Sequence, residues 1–293
     1  MQLFVQFLIN GLTIGMAYAL VAVGFSLVFG ILRLINFSHG TVYAFGAHMT
    51  LVFIGMAFNI WVAIFASIII SGLLGYAVNK VALMPLRKKK SMPIAALITT
   101  VGVSYIIQNM LMVVLGSERK AFPNFMGFGS ITIAGHRVMS SQVVLFLVSL
   151  VLLIGLMLII NKTKMGLAMR ALEQNTKAAN LMGIKVESVI SFTFFLGGVS
   201  AAIAGNLVGA YFQLAFPTMG FMMGIKAFAA AVLGGVGALY GAVIGGLIVG
   251  VAETMAAGYL GGGFRDAFAF IILIVILIIR PAGLFGKQKI TKV

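Results

Sequence analysis

Residues 161–187 read NKTKMGLAMRALEQNTKAANLMGIKVE, a polar island flanked on each side by an apolar run long enough to cross a bilayer, which takes about 20 residues. On a 3.6-residue period Ala168, Ala171, Leu172, Ala178, Ala179 and Met182 share one face, while Arg170, Glu173, Gln174, Lys177 and Asn180 share the other. The spacing predicts one short amphipathic helix over 166–183. Glu173 stands four residues before Lys177, the favourable order for an i,i+4 ion pair worth about 0.2–0.5 kcal/mol, and Gly183 supplies a left-handed stop. The apolar face is mostly alanine and methionine, too thin to anchor in lipid but shaped to lie against another surface. A helix merely solvated at the membrane face is the competing reading.

The composition agrees with that setting. Of 293 residues, 62% are hydrophobic and 9% charged, where a soluble domain carries about 25% charged residues, and the mean hydropathy is +1.17. This is the profile of an all-α, polytopic membrane bundle of eight or nine spans, one transmembrane domain over 1–293. The net charge of +15 does not point to nucleic acid, because the cations sit in short loops between apolar runs, as orientation by positive residues requires. The first cation is Arg33, so the opening apolar run lacks the charged start of a cleaved leader and is expected to stay as a first helix. There is no cysteine, which removes disulfides, thiolate catalysis and cysteine-held zinc together.

Outward from the island, the apolar runs are 4–32, 41–59, 61–84, 93–116, 142–160, 188–211 and 265–280. The stretch 220–257 is broken near Gly234 and Gly235, and reads either as two spans or as one span with a re-entrant piece. Trp61 marks an interface. The densest basic cluster, Arg87, Lys88, Lys89 and Lys90, is placed in the cytoplasm. One span later the stretch 117–140 lies outside, and one span after that the polar island returns to the cytoplasm. An odd number of spans then follows if the N-terminus is outside, with Lys287, Lys289 and Lys292 keeping the C-terminal end inside. Gly11 and Gly15, Gly241 and Gly245, and Gly246 and Gly250 have the spacing that lets helices approach closely in lipid, and 188–211 is rich enough in small residues to sit inside the bundle.

Three stretches carry a resemblance. Gly166, Arg170, Ala171, Asn175, Ala179, Leu181, Met182, Gly183 and Ile184; Gly11 through Tyr18, Ala19 and Leu20 to INFSHG at 35–40; and RPAGLFG at 280–286 are similar in wording to the permease subunits of bacterial branched-chain amino acid ABC importers. The resemblance implies that 162–187 is a coupling helix seated in a groove of a separate ATPase subunit, through Gly166, Arg170, Ala171, Leu172, Asn175, Ala179, Met182 and Gly183. It also implies a second permease subunit, a paralogue of this one, an extracytoplasmic substrate-binding protein, a small-molecule substrate and a bacterial inner-membrane location. Selectivity would rest largely on the binding protein, so urea, short amides and other amino acids stay open beside branched-chain amino acids.

Tests for chemistry of the chain's own find little. No phosphate-binding loop occurs, since Gly286 and Lys287 are followed by Gln288. His39, His48 and His136 lack metal-site spacing, and no cofactor or metal is expected. Of five carboxylates, only Glu253 falls in a strongly apolar run, either as a functional group or as a bond to a neighbouring helix. Thr100, Ser104 and Gln108 recur every four residues and so share one helix face. That stripe is either interhelical glue or part of a hydrated path completed by Asn36, Ser38 and His39 after the first span. An ion-coupled carrier would need more buried carboxylates and an inverted repeat, and a scaffold would leave the polar stripe without a role.

Overall fold

The structure is a computed structural model that describes residues 2–127, 129–133, 136–280 and 282–286. In chain order its elements are α1 (Gln2–Leu32), α2 (Ser38–Gly55), α3 (Ile60–Ala77), a π-helical run (Val78–Leu83) leading into α4 (Met84–Lys88), α5 (Pro93–Leu115), β1 (Lys120–Ala121), β2 (Ser130–Ile133), β3 (His136–Met139), α6 (Ser140–Lys162), α7 (Lys164–Gln174), α8 (Thr176–Leu181), α9 (Val186–Phe212), β4 (Leu214–Ala215), α10 (Met219–Gly234), α11 (Leu239–Leu260) and α12 (Arg265–Ile279). Among these, seven helical stretches are long and apolar enough to cross a membrane: α1, Ile60–Lys88, α5, α6, α9, α11 and Gly262–Ile279. Two more passes, α2 and α10, complete the bundle. They fall short of the others for physical reasons: α2 carries Ser38, His39, Thr41, His48 and Thr50, all buried, and α10 is a shorter apolar helix.

The bundle has two distinct ends. One carries the start of α1, where Gln6 Nε2 donates to the Arg137 carbonyl at 3.2 Å, together with Trp61, edge-on to Phe125, and the stretch after α5. That stretch is more ordered than a plain loop. β2 and β3 form a hairpin, and β1 pairs with β4, tying it to the α9–α10 connection. The other end carries α7 and α8, the 87–90 cluster and the α10–α11 turn. Arg87 Nη2 stands 2.7 Å from Glu187 Oε2, so the basic cluster and the polar island share one end. Among the described residues nine helical passes therefore run between the ends, and the 220–257 stretch is two antiparallel helices joined by a Gly-rich turn, without a re-entrant piece.

Small residues set the core. α1 crosses α11 so closely that a Cβ on Gly11 would lie 2.6 Å from Val251 Cα, and one on Gly246 would lie 2.5 Å from Ala19 N. α9 is buried against α1, α2 and α3, as its small-residue content predicts. Polar residues fasten the same core: Asn206, Thr50 and Ser67 join α9, α2 and α3, with Thr50 Oγ1 donating to Ser67 Oγ at 2.7 Å. On the rim, α5, α6 and α12 expose Ile98, Val113, Val151, Leu158, Ile274 and Ile278, the apolar surface that hydrocarbon accepts.

The C-terminal wording has a structural use. Leu284 N–H donates to the Leu233 carbonyl at 2.8 Å and Phe285 N–H to the Gly234 carbonyl at 3.0 Å, so this tail satisfies the last carbonyls of α10. Gly283 (φ +75°) and Gly235 (φ +103°) meet here backbone to backbone, which no side chain would allow. Pro281, Lys287, Lys289 and Lys292 lie outside the described residues.

Candidate functional site

The polar island is two helices, not one. Thr163 Oγ1 accepts from Gly166 N–H at 3.0 Å and starts α7. Gly166 is pressed on the carbonyls of Ile159 and Ile160, where a Cβ has no room. At Asn175 the backbone is extended (φ −157°, ψ 104°), and its Oδ1 accepts from Lys177 N–H at 3.0 Å and Ala178 N–H at 3.1 Å, capping a new helix. Gly183 (φ +82°) closes α8 as expected.

The break corrects the single-face reading. Gly166, Met169, Leu172 and Ala179 are buried against the chain itself, whereas Ala178 and Met182, expected on the same face, are exposed. Ala171 is half-buried on the core. Arg170 turns back to the end of α6, with Nη2 donating to the Asn161 carbonyl at 3.4 Å. Glu173 and Lys177 no longer share a helix. What the pair of helices offers outward is a polar surface with Leu167 at 62%, Leu181 at 88% and Met182 at 83% exposure.

The expected polar stripe divides along its length. Thr100 is buried and bridges to the 33–37 break, accepting from Phe37 N–H at 3.2 Å and donating to the Leu97 carbonyl at 2.9 Å. At that break, just ahead of α2, Asn36 Oδ1 accepts from Ser38 Oγ at 2.6 Å and Ser38 N–H at 3.2 Å. His39 Nε2 faces the Val21 carbonyl at 3.2 Å, so the proton sits on Nε2. Ser104 and Gln108, one and two turns on from Thr100, instead line a groove of about 190 Å³ with Phe37, Tyr105 and Phe221. Asn36, Ser38 and Thr100 are thus hydrogen-bonded around the break, with His39 held to α1, and Ser104 and Gln108 are half-exposed surface beside them.

Glu253 stands apart from both, fully buried (0% exposed) on α11. Its Oε2 accepts from the Tyr18 hydroxyl at 2.7 Å, and its Oε1 accepts from Lys226 Nζ at 2.9 Å and from Arg265 Nε. Lys226 Nζ is also 2.6 Å from Asp266 Oδ1. Two acids and two bases from α10, α11 and α12, with a tyrosine from α1, form one neutral network. Burying these charges is tolerable only because each has a partner of opposite sign. Of this network only Glu253 was singled out in the sequence; Lys226 was not, although a lone lysine in an apolar stretch such as MGFMMGIKAFAAAVLG signals a buried acid nearby.

The network floors a cavity of about 420 Å³ that opens toward the hairpin end. Lys226 and Arg265 reach it from below, and Arg119, from the stretch after α5, stands over the Phe216 ring at 5.4 Å. Tyr18 and Tyr43 also line it, and the remaining wall is apolar, including Leu214, Met219, Met222 and Met223.

The family described as "Branched-chain amino acid transport system / permease component" matches residues 7–279. The high-affinity branched-chain amino acid transport system permease protein BraD of Pseudomonas aeruginosa is 38% identical, over 99% of this chain and 98% of its own length. LivH of Escherichia coli K12, described likewise, is 37% identical over the same shares. A probable branched-chain amino acid transport permease protein LivH of Methanocaldococcus jannaschii is 30% identical over 91% of this chain and 88% of its own length. Among solved structures, PsaBC from Streptococcus pneumoniae in complex with Fab shares the fold at a TM-score of 0.50 and 12% identity, over 97% of this chain and 94% of that one.

Proposed function

Because the chain belongs to the family of branched-chain amino acid transport permease components, we propose that it is the membrane subunit of an importer that moves branched-chain or closely related amino acids, driven by ATP hydrolysis on separate subunits. The observation that carries the driving mechanism is the α7–α8 pair: a polar, capped two-helix element at one end of an otherwise apolar bundle, with Leu181 and Met182 almost fully exposed. Exposed apolar side chains on a polar element mark a contact surface. In this reading α7 and α8 sit on the ATPase through Leu167, Leu181 and Met182, while Gly166, Leu172 and Ala179 fasten them to α6 and α9. Movement of the ATPase then shifts α7 and α8 as a body, and the packed helices turn that shift into alternating access.

The same reading supplies the other parts. A second permease copy or paralogue covers part of the exposed apolar rim, an extracytoplasmic binding protein delivers solute at the hairpin end, and the α7–α8 end is cytoplasmic in a bacterial inner membrane. Ser104 and Gln108 are the pathway candidates that keep free surface, while Thr100, Asn36, Ser38 and His39 hold the break. An ion-coupled carrier is disfavoured by Glu253, the one carboxylate in a strongly apolar run, whose two oxygens are committed to Tyr18, Lys226 and Arg265. The test is reconstitution with the ATPase and binding subunits in liposomes. Leucine accumulation that needs both ATP and the binding protein is expected, and accumulation by this chain alone under a proton gradient would overturn the reading.

A further inference from the structure

The cavity at the hairpin end is built unlike the rest of the bundle. Three cations reach it, Arg119, Lys226 and Arg265, but only two carboxylates, Glu253 and Asp266, are paired with them. Among the described residues Arg119 has no carboxylate partner; its guanidinium stands over the Phe216 ring instead. Arg265 commits Nε to Glu253, and its planar fork has further N–H donors. The cavity therefore carries one positive charge in excess, with fork-shaped donors at its rim and on its floor. Between them, beside Tyr18 and Tyr43, the wall is mostly apolar and compliant, with Met219, Met222 and Leu214, and methionine adapts to differently shaped aliphatic groups. Its volume of about 420 Å³ lies at the small end of the range for small-molecule sites.

A guanidinium pair suits a carboxylate, and the methionine and leucine wall suits a branched aliphatic side chain. We propose that this vestibule binds the released amino acid directly, its carboxylate held by Arg119 and Arg265 and its side chain against the Met219 and Met222 wall, with Glu253 and Asp266 keeping the floor cations in place. The inference rests on the proposed function and adds to it a selective site within the permease, separate from the binding protein. Arg119 is exposed, so it waits unpaired at little cost, and it is the safest residue to change without disturbing the fold.

The absence of cysteine from the chain gives a direct test. Met222→Cys places a single thiol on the cavity wall, and its alkylation by a small impermeant reagent is timed on the purified complex without binding protein. Millimolar L-leucine should slow the reaction several-fold, leucinamide should not, Arg119→Gln should abolish the protection, and Arg119→Lys should restore part of it. Equal protection by leucinamide, or protection that survives Arg119→Gln, would overturn the carboxylate assignment. A complex that accumulates leucine with ATP and binding protein but shows no protection would overturn the site and leave the proposed function standing. Protection without any accumulation would do the reverse.

Discussion

Glu253 has no exposed surface and answers to two cations and a phenol, so its removal is felt most by Lys226 and Tyr18, which are themselves buried. Glu253→Gln leaves Lys226 and Arg265 with a single acid, Asp266, between them, and breaking a buried pair from one side costs about 3–5 kcal/mol. The expected outcome is a large fall in the thermal midpoint of the purified protein. Lys226→Met combined with Glu253→Met removes one charge of each sign, and should cost clearly less than the two single changes added together, read as a double-mutant cycle. Additive losses would show that the two side chains do not act as a pair. Thr100 is a second residue whose role is set by its partners. Thr100→Val deprives Phe37 N–H of its acceptor, and a buried donor left unpaired costs about 1–3 kcal/mol. Stability should drop while leucine uptake per folded complex stays close to wild type; a loss of uptake at unchanged stability would return Thr100 to the pathway. The sequence showed that these residues are polar where lipid would not tolerate them. It did not show which stripe member meets a backbone and which meets a groove, because that depends on the 33–37 break, brought beside α5 only by the fold.

At the scale of the element, α7 and α8 separate two surfaces that a single helical period had merged. A continuous helix would put Ala179 and Met182 on one face, but the cap at Asn175 restarts the helix, leaving Ala179 at 4% exposure and Met182 at 83%. The signal was present, since asparagine is a favoured cap, but six apolar residues in phase outweighed one cap residue. The two surfaces respond differently to charge. Leu181→Glu with Met182→Glu should leave folding and insertion unchanged and abolish ATPase stimulation by substrate-loaded binding protein, as charge on the outward face would break docking. Ala179→Glu buries a charge against α9 and should instead lower the yield of folded protein. If the Leu181 and Met182 pair tolerates glutamate with full uptake, this surface is merely solvated. The C-terminal tail is a comparable case. RPAGLFG is recognisable as wording, but its use as a cap on α10 emerges only where Gly283 meets Gly235.

For the whole molecule, the positions of the spans were legible because an apolar run of membrane length has few other folds open to it. α2 and α10 were less clear: polar and glycine residues that serve contacts inside the bundle dilute the apolar signal of a span. The pairings were not legible at all, with Tyr18 and Glu253 separated by 235 positions and nothing in either stretch naming the other. Orientation, by contrast, follows from charge and parity together. Arg87 and Glu187 place the 87–90 cluster at the α7–α8 end, β1 and β4 place the stretch after α5 at the opposite end, and an odd number of passes separates the start of α1 from the end of α12. Four cations in a short loop resist translocation, so the proposed orientation puts the α7–α8 end in the cytoplasm, and the 420 Å³ cavity would then face the side from which solute arrives. Single cysteines at Lys89 and Glu118, both exposed, report on this without background, since the chain has none. Glu118→Cys should react with an impermeant thiol reagent on cells whose outer barrier has been opened, while Lys89→Cys should react only after lysis. The reverse pattern would turn the molecule over and put the vestibule on the cytoplasmic side, where it could serve only as an exit; reaction of both in intact cells would mean that the two loops do not lie on opposite sides of the membrane.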